Sequence, residues 1–378
     1  MTLTEDRVRK IFRLLDKDSE VRDQQLPDLL VLRNSTAPHV DQSFFYVTGL
    51  DSGTFEGCML IASPNGPTTL YTSMLEELTA RRSKNSGYDL QTFRDRKHLS
   101  ELVRNELGNC DGKIIGINSS ELTHQAFLEI KNALPNSQLV DVGYAILKAR
   151  MIKDQTEILS LREAANQASL AYPRVVEILK EGITESEVAA ELIYSMQKEG
   201  AGGPSFDPIV AFGSNSAEPH YSPGEEKLRR NHIILMDYGA RYKRYCSDIS
   251  RTLFFGSPEK KFKNIYKTVH EASEIGIEML APGTSTGAVH EAVAAHIDKT
   301  EFKGRFIHST GHTIGLSVHD GGVLHPAQNI TLEEGMVFTI EPGIYIPGYG
   351  GVRIEDDVLV KQSGPELITT ATRELLTI

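Results

Sequence analysis

Apolar positions recur with helical spacing over residues 4–16, where Val8, Ile11, Phe12, Leu14 and Leu15 fall on one side, and predict an amphipathic helix. Short apolar runs follow: LLVLR at 29–33, FFYVTG at 44–49, CMLIA at 58–62, TLYT at 69–72 and KIIGIN at 113–118. Their length and their β-branched and aromatic content predict strands. Helical stretches near 98–107 and 121–133 lie among the later runs, so roughly the first 140 residues predict an α/β domain.

Beyond that point the pattern changes. A long helical period covers 154–180 and is closed by Gly182, with Pro173 expected to bend or interrupt it. Thr184-x-x-Glu187 has the form of a capping box and opens a second helix. Further helices are predicted over 260–280 and 286–298. Strand-like segments alternate with them: PIVAFG, HIILMDYG, SRTLFF, MVFTIEPGIYI and GVRIEDDVLV. No internal repeat, low-complexity tract or long linker is evident. The change of pattern at ARMIKDQ predicts two domains, 1–149 and 150–378, both of mixed α/β (α+β) class.

A chain of 378 residues is long for one core, which agrees with two domains. The net charge of −11 argues against nucleic-acid partners and against docking on anionic membranes. Cys58, Cys110 and Cys246 are far apart and in no C-x-x-C spacing, so neither a disulfide framework nor a structural zinc site is expected. The charged N-terminal stretch has no apolar run of signal-peptide length, and no segment has the apolar length of a membrane span. A cytoplasmic location is the expectation.

The chemistry concentrates in four segments of the second domain. Asp237 ends the apolar run HIILMD, and Asp248 lies across a glycine-containing turn at the start of the next strand-like run. A hairpin there would bring the two carboxylates together. Glu341 ends the run VFTIE, while Glu355 alternates with Arg353 in GVRIEDD, which puts Arg353 and Glu355 on one strand face. HSTGHTIGLSVHD, residues 308–320, adds His308, His312 and His319 on a segment rich in glycine. Buried carboxylates without partners are costly. Four of them with an imidazole suit Mn²⁺, Co²⁺, Fe²⁺ or Zn²⁺, and their charge suits two ions rather than one. Such a pair about 3.5 Å apart is equipment for hydrolysis.

Taken together, DYGARYKRYCSD, HSTGHTIGLSVHD, TIEPG and GVRIEDD resemble the pita-bread metallopeptidases, and among them the Xaa-Pro peptidases, prolidase and aminopeptidase P. The resemblance covers roughly 150–378 and extends to a creatinase/prolidase-like N-terminal domain. It implies that Asp248 and Glu355 bridge two divalent ions, that Asp237 chelates one, and that His312 and Glu341 complete the other. Manganese or cobalt would be the first choice, with zinc and iron as alternatives. A hydroxide held between the ions would attack the scissile carbonyl, with Glu341 carrying its proton to the leaving amine. His220 matches the family histidine beside the substrate. His319 matches the one that steadies the transition state, and Arg353 an arginine that orients a carboxylate. His308 resembles a further active-site histidine, although a histidine bonded to backbone at a strand end accounts for it equally well. The remaining histidines, such as His290 and His296, read as structural.

The implied substrates are Xaa-Pro dipeptides or short peptides with proline second, and the implied assembly is a homodimer. Phe206 and Tyr221, close to His220 in sequence, are candidates for the pocket wall. His319 is followed by DGGVLHP, without the Glu and Pro-Arg pair common in prolidases, and in that it is closer to aminopeptidase P. The chain length is nearer to the compact prolidases, so dipeptidase and aminopeptidase both stay open. The other readings are a methionine-aminopeptidase-like enzyme, a creatinase-like hydrolase and a non-catalytic binding protein on the same fold. Retention of all five ligand positions disfavours the last two.

Overall fold

The computed structural model describes residues 2–17, 26–83, 87–107 and 112–378. Cys110 lies outside the described residues. The chain forms two compact units, Met1–Arg150 and Met151–Ile378.

The first unit runs α1 (Leu3–Lys17), β1 (Leu29–Arg33), α2 (Gln42–Thr48), β2 (Met59–Ala62), β3 (Thr68–Ser73), α3 (Glu77–Arg82), β4 (Asp89–Phe93), α4 (Arg96–Leu107), β5 (Ile114–Ile117), α5 (His124–Ala133), β6 (Gln138–Asp141) and α6 (Gly143–Met151). Its six strands form one mixed sheet in the order β4-β3-β2-β1-β5-β6. The fully buried strands β1, β2 and β5 are the near-continuous apolar runs of the sequence. FFYVTG departs from expectation: it is helix α2, not a strand. Asp41 caps it by accepting the Ser43 N–H at 2.8 Å, and Gly49 closes it in the left-handed region. A short apolar run buried all round fits either element, and the caps on its two sides decide.

The second unit starts with α7 (Gln155–Ile178) and α8 (Glu185–Lys198). Pro173 stands inside α7 without interrupting it. The predicted capping box is present, with Thr184 and Glu187 bonded reciprocally. Then come β7 (Ile209–Phe212), a 3-10 turn (Gly213–Ala217), β8 (His232–Tyr238), β9 (Arg241–Tyr242), β10 (Tyr245–Cys246) and β11 (Ile249–Phe255). Helices α9 (Lys260–Glu278) and α10 (Thr286–Asp298) follow, and then β12 (Val337–Ile340), β13 (Gly343–Ile346), β14 (Gly350–Arg353), β15 (Asp356–Leu359) and β16 (Glu366–Leu367). The two long strand-like segments of the sequence are thus each broken in two, at Glu341-Pro342 and at Ile354-Glu355.

The second unit repeats one backbone device. After α7, Gly182 at φ +91° donates to Leu228 O, Leu228 donates back to Ile183 O, and Glu185 donates to Glu226 O. After α9, Gly283 at φ +92° donates to Leu332 O, Leu332 donates back to Thr284 O, and Thr286 donates to Ile330 O. Each helix pair is then followed by an antiparallel strand pair, β8–β11 in one half and β12–β15 in the other. One apolar core packs α7 and α8 on β7, β8 and β11, and others pack α9 and α10 against the later strands.

Candidate metal centre and substrate cavity

Asp237 is the penultimate residue of β8 and pairs in register with Ser250 of β11. Asp248 lies one residue before β11, beyond the small β9–β10 hairpin, so the expected hairpin brings the pair together with only Asp237 inside a strand. The Asp248 N–H donates to Asp357 Oδ2 at 3.0 Å. Glu355 occupies the break between β14 and β15, where its N–H donates to Ser250 O at 3.1 Å. Glu341 occupies the break between β12 and β13 and donates to Thr310 O at 2.8 Å. His312 is clamped to β12: its N–H donates to Thr339 Oγ1 at 3.0 Å, and the Thr339 N–H donates to its carbonyl at 2.8 Å. A Cβ on Gly311 would lie 1.9 Å from Thr339 O, which explains one of the glycines in this segment.

These side chains converge. One donor atom each of Asp248, His312 and Glu355 lies within 4.8 Å of the others. His312 Nε2 is 3.7 Å from Asp248 Oδ2 and 3.6 Å from Glu341 Oε1. Its Nδ1 faces Thr313 O at 3.3 Å, which leaves Nε2 as the nitrogen that could hold a metal. Asp237 joins through Arg353, whose guanidinium donates to Asp237 Oδ2, to Ser250 Oγ at 2.8 Å and to Tyr345 OH at 2.9 Å. Ser250 Oγ in turn donates to Glu355 Oε2 at 2.7 Å. The sequence therefore placed Arg353 and Glu355 correctly on one face, although the strand breaks between them.

The other oxygens of the ligand carboxylates fit a cation. Asp237 Oδ1, Asp248 Oδ1 and Glu355 Oε1 are buried and accept no hydrogen bond among the described residues. A buried acceptor left unmet is costly, and three on side chains that line one cavity suit divalent ions with hard oxygen donors. Without ions Asp248, Glu341 and Glu355 resist ionisation. Burial, then Glu355, Asp237 and the other carboxylates, push Asp248 well above the usual range. Burial does the same to Glu355, followed by Glu341 and Asp237. Burial lifts Glu341 to about 8 against the opposing Arg353 charge. Burial, with His319 second, lowers His312 to about 3, so its imidazole is neutral, the form a metal needs.

A cavity of about 520 Å³ opens over these groups. Phe206, Ile209, Val318 and Val323 give it apolar walls, and His220 and His319 reach it from exposed positions. The His319 ring stands edge-on to His312, with centroids 4.2 Å apart. His308 is not at a strand end, and it has both a backbone contact and a place on the cavity wall. Its Nδ1 meets Ser309 O at 2.8 Å, yet it lines the cavity, contacts Tyr345 OH through Nε2 at 2.9 Å, and sits 3.8 Å from Glu341. Tyr221 is not part of the wall, because its hydroxyl turns to Glu185 at 2.9 Å. His290 and His296 stay outside the site: His290 bonds Thr310 Oγ1 at 3.0 Å, and His296 lies 3.3 Å from Glu271.

Sequence reasoning did not single out Ser250, Tyr345 or Asp357. For Asp357 the signal existed, because the alternation that pairs Arg353 with Glu355 continues to it. Ser250 and Tyr345 are ordinary strand residues in sequence, and only register brings them to Arg353.

Comparison with known proteins gives a concordant picture. Residues 160–362 match the model of metallopeptidase family M24, and residues 15–152 that of the creatinase/prolidase N-terminal domain. The Xaa-Pro dipeptidase of Pyrococcus horikoshii is 34% identical over 376 residues, covering 100% of both chains. The solved Xaa-Pro dipeptidase from Bacillus anthracis superposes with a TM-score of 0.87 at 31% identity, over 99% of each chain. The X-Pro aminopeptidase from Thermotoga maritima also superposes with a TM-score of 0.87, at 29% identity, over 95% of this chain and 100% of its own.

Proposed function

Since the chain belongs to metallopeptidase family M24 and is a metallopeptidase, we propose that it hydrolyses Xaa-Pro peptide bonds with two divalent ions held by Asp237, Asp248, His312, Glu341 and Glu355. The observation that carries this is the convergence of those five side chains under one cavity, with three buried carboxylate oxygens left without hydrogen-bond partners among the described residues. Asp248 and Glu355, at the centre of the group, would be shared between the ions, with Asp237 available to one and His312 and Glu341 to the other. Manganese or cobalt is the expected metal. When bound, the ions activate a water molecule and polarise the scissile carbonyl.

The chain's own residues supply the rest. Glu341 takes the proton of the attacking water and hands it to the proline nitrogen as the bond breaks. His319, whose pKa is lowered first by desolvation and then by His220, offers its N–H to the oxygen on which charge develops. His220 contacts the substrate from the facing wall. Arg353 holds Asp237 and, through Ser250, Glu355. Proline leaves a tertiary amide with no N–H to grip, so an apolar wall of Phe206, Ile209, Val318 and Val323 recognises the ring in place of a backbone hydrogen bond.

Dipeptide cleavage is the primary reading, supported by full-length similarity to an Xaa-Pro dipeptidase. Aminopeptidase action is the second, supported by the equal structural likeness to an X-Pro aminopeptidase and by Asp320 in place of Glu after His319. Enzyme loaded with Mn²⁺ or Co²⁺ is incubated with Ala-Pro and Ala-Pro-Ala, with a chelator control, and products are read by mass spectrometry. Cleavage of Ala-Pro alone identifies a dipeptidase, and alanine from the tripeptide identifies an aminopeptidase. Both peptides intact under every metal would refute the reading. A cytoplasmic homodimer completes the proposal, and light scattering tests the assembly. Among the described residues no helix is long and apolar enough to cross a membrane.

A further inference from the structure

His220 stands on the loop 213–224, which leaves β7 through a 3-10 turn and contains no strand. That loop is organised around one carboxylate. Glu185, the first residue of α8, is wholly buried. Its Oε1 accepts from the Phe212 N–H at 2.8 Å and from Asn215 Nδ2 at 2.9 Å. Its Oε2 accepts from the Tyr221 hydroxyl at 2.9 Å and from the Gly224 N–H at 3.1 Å. The two donors on Oε1 precede His220 in the chain, and the two on Oε2 follow it. Asn215 Nδ2 also donates to Tyr221 OH at 2.8 Å, tying the two sides together.

Helix capping does not account for Glu185. Thr184 and Glu187 already cap α8, and the carboxylate of Glu185 is directed entirely into the loop. Four accepted bonds meet the capacity of a carboxylate, which is the condition for burying one. At the other end, Pro219 O accepts from Arg353 at 3.4 Å, so the residue next to His220 is referred to the metal centre itself.

We infer that Glu185 is a positioning residue for His220: its fourfold bonded carboxylate fixes the loop 213–224 and with it the imidazole that faces the substrate. The assignment rests on the Xaa-Pro peptidase reading. It predicts an effect on turnover that passes through His220 and leaves the ions in place.

The test compares E185Q, H220A and the double variant in the metal-loaded full chain. The amide NH₂ of the E185Q variant would face either the Gly224 N–H or the Phe212 N–H, neither of which can accept, so at least one backbone anchor is lost with little change of volume. Metal content should equal that of the unaltered protein. Amide hydrogen exchange should rise in 212–224 and not elsewhere. E185Q should lower kcat on Ala-Pro by about 10-fold to 100-fold with KM within about 3-fold. In the H220A background it should add less than about 2-fold. Y221F, which removes the hydroxyl's bonds to Glu185 and Asn215 but keeps both backbone N–H donors to the carboxylate, should move the same quantities in the same direction by about 3-fold and serves if E185Q does not fold. Multiplicative losses in the double variant, loss of metal, or exchange spread over the whole unit would each overturn the assignment. If the unaltered enzyme leaves Ala-Pro and Ala-Pro-Ala intact, the Xaa-Pro reading fails by itself. The exchange pattern then decides Glu185: a rise confined to 212–224 upholds it, and any other pattern rejects it.

Discussion

The two halves of the catalytic unit share a frame and divide the chemistry. Each has a helix pair, a left-handed glycine, a three-bond return ladder and an antiparallel strand pair. The first half contributes Asp237 and Asp248, one inside a strand and one at its edge. The second contributes His312, Glu341 and Glu355, the two glutamates at breaks between strands. A continuous strand aims only alternate residues at one face. Interrupting it frees a carboxylate from that rule, so the half with the broken strands can crowd more ligands around one point. The halves meet at β11, where Ser250 and Thr252 bond Glu355 and Arg353 of the other half.

The comparison breaks most sharply if ligands from one half suffice. H312A and E341A should each reduce turnover by about 10³-fold or more, and D237N and D248N should lower bound metal as well. Elemental analysis beside kinetics checks this. Full metal content and normal turnover in both first-half variants would assign the site to the second half alone.

The seam between the halves comes next. Arg251 is buried on β11; it donates to Glu355 O and to Ala371 O at 2.7 Å, and it pairs with Asp356 Oδ1 at 2.6 Å. R251M leaves the buried Asp356 with only the Thr369 hydroxyl at 2.6 Å and the Arg373 guanidinium at 3.8 Å, and should cost about 3 kcal/mol, measured by denaturant unfolding of the metal-free protein. A loss below about 1 kcal/mol would mean that the halves are joined elsewhere.

H319A sharpens the division between holding ions and handling substrate. It should keep its metal and lower kcat by about 10-fold to 100-fold. Metal loss would move His319 into the ligand set.

The smallest effect is on pH dependence. Glu341 is raised from its ordinary 4.5 to about 8 in the metal-free fold. Between those values the folded state holds a proton that the unfolded state has released, so metal-free stability falls as pH rises through that window. Asp248 and Glu355 are shifted in the same direction. Ions take the place of those protons, so the Tm gain on adding Mn²⁺ should widen by a few degrees from pH 5.5 to 8, roughly as expected for a change of 1–2 kcal/mol in a unit of this size. Calorimetry at several pH values would show a constant gain if the carboxylates were ionised throughout.

Much of this was legible in the chain. The long helices carry period and caps, and Asp237 and Glu341 each end an apolar run, where a carboxylate stands out. Other features were hidden for physical reasons. The repeated ladder uses only backbone N–H and C=O groups, so EGITE and PGTST make the same bonds with different side chains. FFYVTG is short enough for either element. Tyr221 sits near the cavity in sequence, but a hydrogen bond to Glu185 turns it away. Glu185 itself was obscured by the capping box on either side of it.

The seam also bears on the order of events in folding. Contacts within each half are local, whereas every complete set of ligands needs both halves docked. Loop closure of that kind comes late, since entropy must be spent before distant contacts reward it. Ions held only by the docked pair of halves should therefore act as a latch, slowing unfolding many-fold and changing refolding little, which stopped-flow measurements with and without Mn²⁺ would show.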